Sequence, residues 1–545
     1  MSMAAEPDVD GLAARFAADA AAGREPEAQT ALIAALGAKP AGDWLACARQ
    51  LVLRRAAGTA RAVMAAAHER FPHDGNLTFA LSGLERDAGR GDAAAALLRE
   101  LLSADPAHAA GALTLARLLG DAGRVGAAGD VLRAAFVAHR QPLEIAFRAM
   151  DLLDALERED VARDIAEGEI AQGSKDPRIH AYAGMYAVQL GDFGRARERL
   201  LFAHAHSPQA PEWNVPYGLA MAQRYRDASH PDFALFAECS GRSDLGDRAR
   251  MNLAFATGKA HDDIGDYAAA ARSFAEANAI ARRLAPVSRK QWRRKVAARI
   301  AAPPLPLRRA PDADPFTPIF IVGMPRSGTT LVAELLSRLP RVRNRGELGW
   351  LWKIAQKLPA AGAPDARQLD ALAAEYAAHL VRDDGGDALW FIDKQPLNLV
   401  NIELAMALWP HARFVHMTRN ARDNALSLWM QSFIDATYAF ASDFADIAAM
   451  QQGCDKLMAH WRTRYPAAIR SVAYEALATD PAREIAALAE WIGIPPAEPA
   501  SADDKPGSIN TASLWQARQP VYTRSVGRWR NYAGYIPELL SFPDR

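Results

Sequence analysis

The segment Gly323-Met-Pro-Arg-Ser-Gly328-Thr-Thr330 concentrates the groups that bind anions. Its glycine spacing is that of the GxxxxGK[ST] loop, in which backbone N–H groups and the start of the next helix cradle a phosphate. Thr329 stands where a nucleoside triphosphatase keeps the lysine that stabilises the β/γ-phosphates, so ATP or GTP hydrolysis is disfavoured. A smaller anion is well served, because Ser327, Thr329 and Thr330 offer hydroxyls and Arg326 a two-pronged guanidinium. Farther along, RFVHMTRNARDNALSLWMQ carries Arg419 at the end of an apolar run and Ser427 eight residues later. That spacing puts a guanidinium at the carboxyl edge of a sheet and a hydroxyl two turns into a helix, facing one crevice. As a lone pair, Arg419 and Ser427 mean little; beside the 323–330 loop, two anion sites from two strand-to-helix turns suit a doubly phosphorylated nucleotide.

The elements that must position these residues are legible around them. Ile319 to Val322 is wholly apolar, as in a strand buried on both faces of a parallel sheet. A helix is predicted from about Gly328 to Leu339, with Leu331, Leu335 and Leu336 turned inward. ALWFIDKQP reads as a further strand delivering Lys394, and IRSVAYEAL as another delivering Tyr474 and Glu475. Helix 480 to 492 opens with Asp480 as N-cap and Pro481 at its first position. The second half is thus expected to be a P-loop-like α/β domain with a central parallel sheet.

With its PRSGTT loop and the Arg419/Ser427 pair, this half resembles the sulfotransferases that use 3′-phosphoadenosine 5′-phosphosulfate (PAPS), in particular the Golgi-type, protein-tyrosine enzymes. The resemblance runs from about residue 318 to 535. It implies sulfuryl transfer to a hydroxyl, with 3′-phosphoadenosine 5′-phosphate as product and no metal. It implies that Arg326, Ser327, Gly328, Thr329 and Thr330 hold the 5′-phosphosulfate, with Arg326 also catalytic at the leaving oxygen, and that Arg419 and Ser427 hold the 3′-phosphate. In NRGELGWLW, Glu347 matches the family's general base, 21 residues after Arg326. Taken alone, Glu347 is a loop glutamate. Lys394 matches the lysine that stabilises the leaving phosphate; taken alone, it is an ion-pair partner for Asp393. Tyr474 follows in the family order, Ser513 matches a serine near the bridging oxygen, and Arg528, fifteen residues later, falls where a basic residue grips the nucleotide. Because cytosolic small-molecule sulfotransferases use a histidine base, His411 and His416 stand as fallback bases; His416 alternates with Phe414 and Thr418 as a structural histidine would.

The first half repeats itself. DAGRGDAAAALL from Asp87 and DAGRVGAAGDVL from Asp121 lie 34 residues apart, and the register continues through ALEREDVARDI and LGDFGRARERL and back to Arg55. Pro72, Pro106, Pro142, Pro177 and Pro208 recur near the end of each unit. Two amphipathic helices per 34 residues with a glycine turn is the pattern of tetratricopeptide repeats, an all-α solenoid. Ala94, Ala128 and Ala196 fit positions where paired helices approach closely. A unit around Gly265 is six residues out of phase, which predicts an insertion near Tyr217 to Gly246, expected as a longer loop. KQWRRKVAARIAAPPLPLRRAPDADP reads as a last helix with a solvated basic face, then a stiff proline linker.

The expected division is a repeat domain over 1–300, a linker over 301–317 and a sulfotransferase-type domain over 318–545. Equal numbers of basic and acidic residues, 64 each, supply no net field towards nucleic acid, so no nucleic-acid partner is expected. Cys47, Cys239 and Cys454 form no CxxC pair, which argues against a thiolate metal site or a disulfide framework. No stretch approaches the ~18 apolar residues of a membrane span, and the N-terminus lacks a leader pattern, so the chain reads as cytoplasmic. The repeats point to a protein or peptide partner, and so tilt the acceptor hydroxyl towards a protein tyrosine over a glycan. A carbohydrate acceptor, a scaffold that binds nucleotide without turnover, and a P-loop kinase are the alternatives.

Overall fold

A computed structural model of the chain describes residues 8–308, 314–358, 363–433, 436–495 and 524–544. It divides into two compact units, Met1–Leu156 and Glu157–Arg545.

The described part of the first unit is helical: Val9–Ala21, Glu25–Leu36, Ala41–Leu53, Ala57–Arg70, Gly75–Asp87, Gly91–Ala104, Ala109–Asp121, Val125–Val137 and Leu143–Ala155. The 34-residue period is visible in the backbone itself. The turn within successive helix pairs has a left-handed residue at Arg55, Gly89, Gly123, Glu157 and Gly191, with φ of 61°, 75°, 74°, 58° and 79°. Glycine takes this conformation freely, whereas a side chain there costs roughly 1–2 kcal/mol. One helix later, Ala60, Ala94, Ala128, Ala162 and Ala196 are each 0% exposed, as close helix approach demands. Pro72 and Pro106 follow a helix, while Pro142 and Pro177 open the next one.

The second unit begins with three more repeat helices, Glu159–Ala171, Pro177–Leu190 and Phe193–His206. The insertion expected as a loop is instead helical, over Val215–Met221 and Pro231–Ser240. The physical reason is local capping and a small core. Pro231 starts the second helix, His230 accepts from Asp232 N at 3.2 Å, and Phe236 and Cys239 bury against Tyr225. Two long helices follow, Asp247–Asp263 and Tyr267–Leu284, then Arg289–Ala301. The basic face of this last helix is not simply solvated. Trp292 Nε1 donates to Ala449 O at 3.1 Å, Arg289 pairs with Asp446 at 2.9 Å, and Lys295 lies 4.0 Å from the centre of the Trp352 ring. The segment that follows is tied down as well: Leu305 N donates to Glu403 Oε1 at 2.8 Å and Arg308 N to Ala407 O at 2.7 Å.

Five parallel strands come next: β1 Thr317–Gly323, β2 Val342–Asn344, β3 Trp390–Asp393, β4 Arg413–Thr418 and β5 Ile469–Ala473, in the order β2-β3-β1-β4-β5. β2 escaped the sequence reading because a three-residue edge strand carries no periodicity. Strand alternation sends Ile319 and Ile321 to one face, with Val332, Leu336 and Leu488, and Phe320 and Val322 to the other. That second face shares its core with Phe255 and Phe274 of the repeat-region helices, which is why the compact unit runs back through them. Among the described residues no helix is long and apolar enough to cross a membrane.

Candidate functional site

The chain leaves central β1 towards β2 and β3 on one side and returns to β4 on the other, so a crevice opens at the carboxyl ends of β1 and β4. The 323–330 loop fills its mouth. Gly323 has φ +150°, and a Cβ there would lie 2.5 Å from Met417 O; Gly328 has φ +100°, and a Cβ would lie 2.6 Å from Tyr474 Cδ2. Both positions therefore demand glycine. Helix Thr329–Ser337 follows at once, with Thr329 and Thr330 buried in its first turn. Arg326 adopts a left-handed φ of 67°, a conformation that costs a non-glycine residue roughly 1–2 kcal/mol.

The residues expected from sequence to form two anion sites are in contact. Arg326 Nε donates to Ser427 Oγ at 3.2 Å, and Arg419 Nη1 donates to Arg326 O at 2.9 Å. Arg419 Nη2 donates to Ser525 O at 2.8 Å, and its guanidinium lies 4.6 Å from the centre of the Tyr474 ring. One arginine thus ties together the loop after β1, the helix region after β5 and the C-terminal segment. Burial pushes the Arg419 guanidinium below its ordinary pKa. Among the described residues, Ser327 Oγ and Arg419 Nε are buried without a hydrogen-bond partner. A buried donor left unpaired costs about 1–3 kcal/mol, so these atoms are suited to an incoming anion. The Ser327 hydroxyl and the Arg419 guanidinium are of the chemistry that a phosphate group accepts from.

Glu347 and Lys394 also meet. Lys394 Nζ donates to Glu347 Oε1 at 2.6 Å; the lysine side chain is 1% exposed and the glutamate 30%. The alternative partner for the lysine, Asp393, is engaged elsewhere. It accepts from Tyr376 OH at 2.5 Å, Asn398 Nδ2 at 2.8 Å and Gln395 N at 3.0 Å. Successive residues on an extended strand point to opposite faces, which separates Asp393 from Lys394. Complete burial pushes the Asp393 pKa up to about 7, against donors that favour the charged form. Tyr438 OH lies 3.2 Å from Glu347 Oε2 and 3.0 Å from Gln395 Oε1.

Arg528 sits in the C-terminal segment, with its guanidinium paired to Asp262. Ser513 lies outside the described residues. His411 Nε2 lies 3.1 Å from Phe316 O, at the amino ends of the strands and away from the crevice. His416 faces Ser471 Oγ at 3.1 Å inside the sheet, and burial pushes its pKa down to about 4. Among the described residues no cluster of three or more His, Cys, Asp or Glu is placed to hold a metal.

Several positioning residues carry no mark in the sequence. Asp423 accepts from Gly527 N at 2.6 Å and Trp529 N at 2.9 Å, and Asn424 Nδ2 donates to Pro325 O at 2.9 Å. Asn420 caps their helix, Ala421–Trp429, accepting from Arg422 N at 3.1 Å and Asp423 N at 3.2 Å. An N-cap followed by polar residues in the first turn is common to surface helices, so only burial distinguishes this one.

Residues 318–499 match the family described as the sulfotransferase family. An uncharacterized protein of Aquifex aeolicus is 31% identical over 240 residues, covering 41% of this chain and 32% of its own. Protein-tyrosine sulfotransferase 1 of Danio rerio is 24% identical over 246 residues, 40% of this chain and 66% of its own. Protein-tyrosine sulfotransferase 2 of Gallus gallus is 22% identical over 240 residues, 40% of this chain and 64% of its own. The chain therefore spans 32% to 66% of the length of these relatives.

Proposed function

From a chain in which a sulfotransferase-family domain follows tetratricopeptide-type helical repeats, we propose a PAPS-dependent sulfotransferase that moves a sulfuryl group to an acceptor hydroxyl. The observations that carry this reading are the contact of Arg326 with Ser427 and Arg419 and the ion pair of Glu347 and Lys394. Backbone N–H groups of the loop and the Ser327 hydroxyl bind the 5′-phosphosulfate end, while Arg419 and Ser427 bind the 3′-phosphate.

The Glu347 carboxylate takes the proton of the acceptor hydroxyl as that oxygen bonds to sulfur and the bond from sulfur to the bridging oxygen breaks. Lys394 orients that carboxylate through one of its three N–H donors and turns the others to the negative charge left on the departing 5′-phosphate oxygen. Asp393, Tyr376 and Asn398 fix the backbone from which Lys394 projects. No metal enters this scheme. A tyrosine hydroxyl on a protein is the acceptor we favour, because two of the relatives are named protein-tyrosine sulfotransferases and a repeat solenoid presents a concave surface to an extended peptide.

Incubation of the purified full chain with PAPS and a cell extract, read by mass spectrometry, is expected to yield acceptors heavier by one sulfate and stoichiometric 3′-phosphoadenosine 5′-phosphate. Saturable binding of that nucleotide without any sulfated product would establish a binding scaffold instead. Absence of binding would remove the proposal altogether.

A further inference from the structure

A cleft of about 600 Å3 opens beside the candidate nucleotide contacts and is lined by Arg326, Ser427 and Arg528. Another wall comes from outside the sulfotransferase-family match: Tyr217, Arg224, Lys259 and Asp262 belong to the helical region. The two walls are bonded to each other at the segments that matter. Asp262 accepts from Arg528, and from Tyr532 OH at 2.6 Å. Gln431 Nε2 donates to Tyr217 OH at 3.0 Å, Ser432 Oγ to Asn252 Oδ1 at 2.7 Å, and Asn278 Nδ2 to Trp429 O at 2.7 Å. The repeat-region helices thereby hold both the stretch that follows Ser427 and the stretch that carries Arg528.

The charge on this cleft is one-sided. Arg224, Lys259, Arg326, Arg524 and Arg528 line it against the two carboxylates of Asp262 and Asp263. Both carboxylates are already engaged, Asp262 with Arg528 and Asp263 with Lys259 Nζ at 2.6 Å. A positive cleft with low-dielectric walls concentrates anions. Arg224 is exposed and close to Lys259, whose pKa is lowered by burial first and by the Arg224 charge as well. Arg224 therefore adds an exposed positive charge to the rim of this cleft.

We propose that the helical region forms part of the donor site, with Arg224 reaching the 3′-phosphate of the nucleotide across the cleft from Ser427. This rests on the reading under Proposed function, and it gives the repeat region a role in holding the donor, in addition to any role in recruiting an acceptor.

Calorimetric titration of the full chain with 3′-phosphoadenosine 5′-phosphate and with 5′-AMP, which lacks the 3′-phosphate, tests it. Loss of one charge-assisted contact should weaken binding of the bisphosphate about ten-fold in Arg224→Ala and further in Arg224→Glu. Binding of 5′-AMP should stay within about two-fold, and the exposed control Arg195→Glu, on the Phe193–His206 helix, should leave both affinities unchanged. No bisphosphate binding by the unmodified chain would refute the parent reading. Unmodified binding with an indifferent Arg224→Ala, an equal loss for 5′-AMP, or the same loss in Arg195→Glu would each overturn this inference alone.

Discussion

Replacing Arg419 by methionine keeps the aliphatic stem and removes the guanidinium that joins three segments. Two of its donors are spent on Arg326 O at 2.9 Å and Ser525 O at 2.8 Å, while Nε is buried without a partner among the described residues. A phosphate entering here gains one or two charge-assisted hydrogen bonds of about 1.5–3 kcal/mol each. Their loss, with that of a stacked cation over Tyr474, should cost about 3 kcal/mol of affinity for 3′-phosphoadenosine 5′-phosphate, roughly 100-fold. The two carbonyls left unpaired should lower folding stability by about 1–3 kcal/mol, so urea denaturation must first show that the variant is folded under the binding conditions. Calorimetry at fixed salt then compares the bisphosphate with 5′-AMP. In the unmodified chain the bisphosphate should bind far more tightly, and in Arg419→Met the two ligands should converge. A folded variant that keeps the full preference for the bisphosphate would show that Arg419 does not read the 3′-phosphate.

The remaining expectations concern the reacting pair, its support and the sheet. Glu347→Gln should leave nucleotide affinity within about two-fold but lower the turnover number by roughly 10²–10⁴, the usual worth of a general base, and unchanged turnover would return the assignment to another residue. Asp393→Asn puts an amide among groups that donate to a carboxylate, so unfolding free energy should fall by about 2–4 kcal/mol with transfer activity impaired; a stability change below about 0.5 kcal/mol would contradict the clamp. Burial holds the folded-state pKa of His416 near 4 against an unfolded value near 6.5. The stability it confers is therefore complete above pH 6.5 and is lost as pH falls towards 4. The stability gap between the unmodified chain and His416→Gln should shrink by about 2 kcal/mol from pH 7 to pH 5, and a gap independent of pH would exclude this account.

Local patterns were open to reading from the chain alone. The loop at 323–330 announces itself because glycines at fixed spacing, a strand before and a helix after are consecutive in sequence. The Arg419/Ser427 spacing is equally local, and so is the 34-residue period, since each unit must bury its face against the next through the same small residue and the same left-handed turn. Hydrogen-bond partners were not open to it. Lys394 pairs with Glu347, 47 residues away, and not with its neighbour Asp393, because strand geometry turns adjacent side chains apart. Asp423, Asp262 and Tyr438 acquire meaning only when packing brings the C-terminal segment, a repeat-region helix and the Ala436–Ser442 turn to the crevice. The sharing of one core by the Asp247–Asp263 and Tyr267–Leu284 helices and the sheet was decided by the same packing, because apolar residues state that they will be buried but not against what. The sequence by itself determined which residues are candidates for anion contact; tertiary structure decided which of them face one another, since burial is non-directional while hydrogen bonds require contact at about 3 Å.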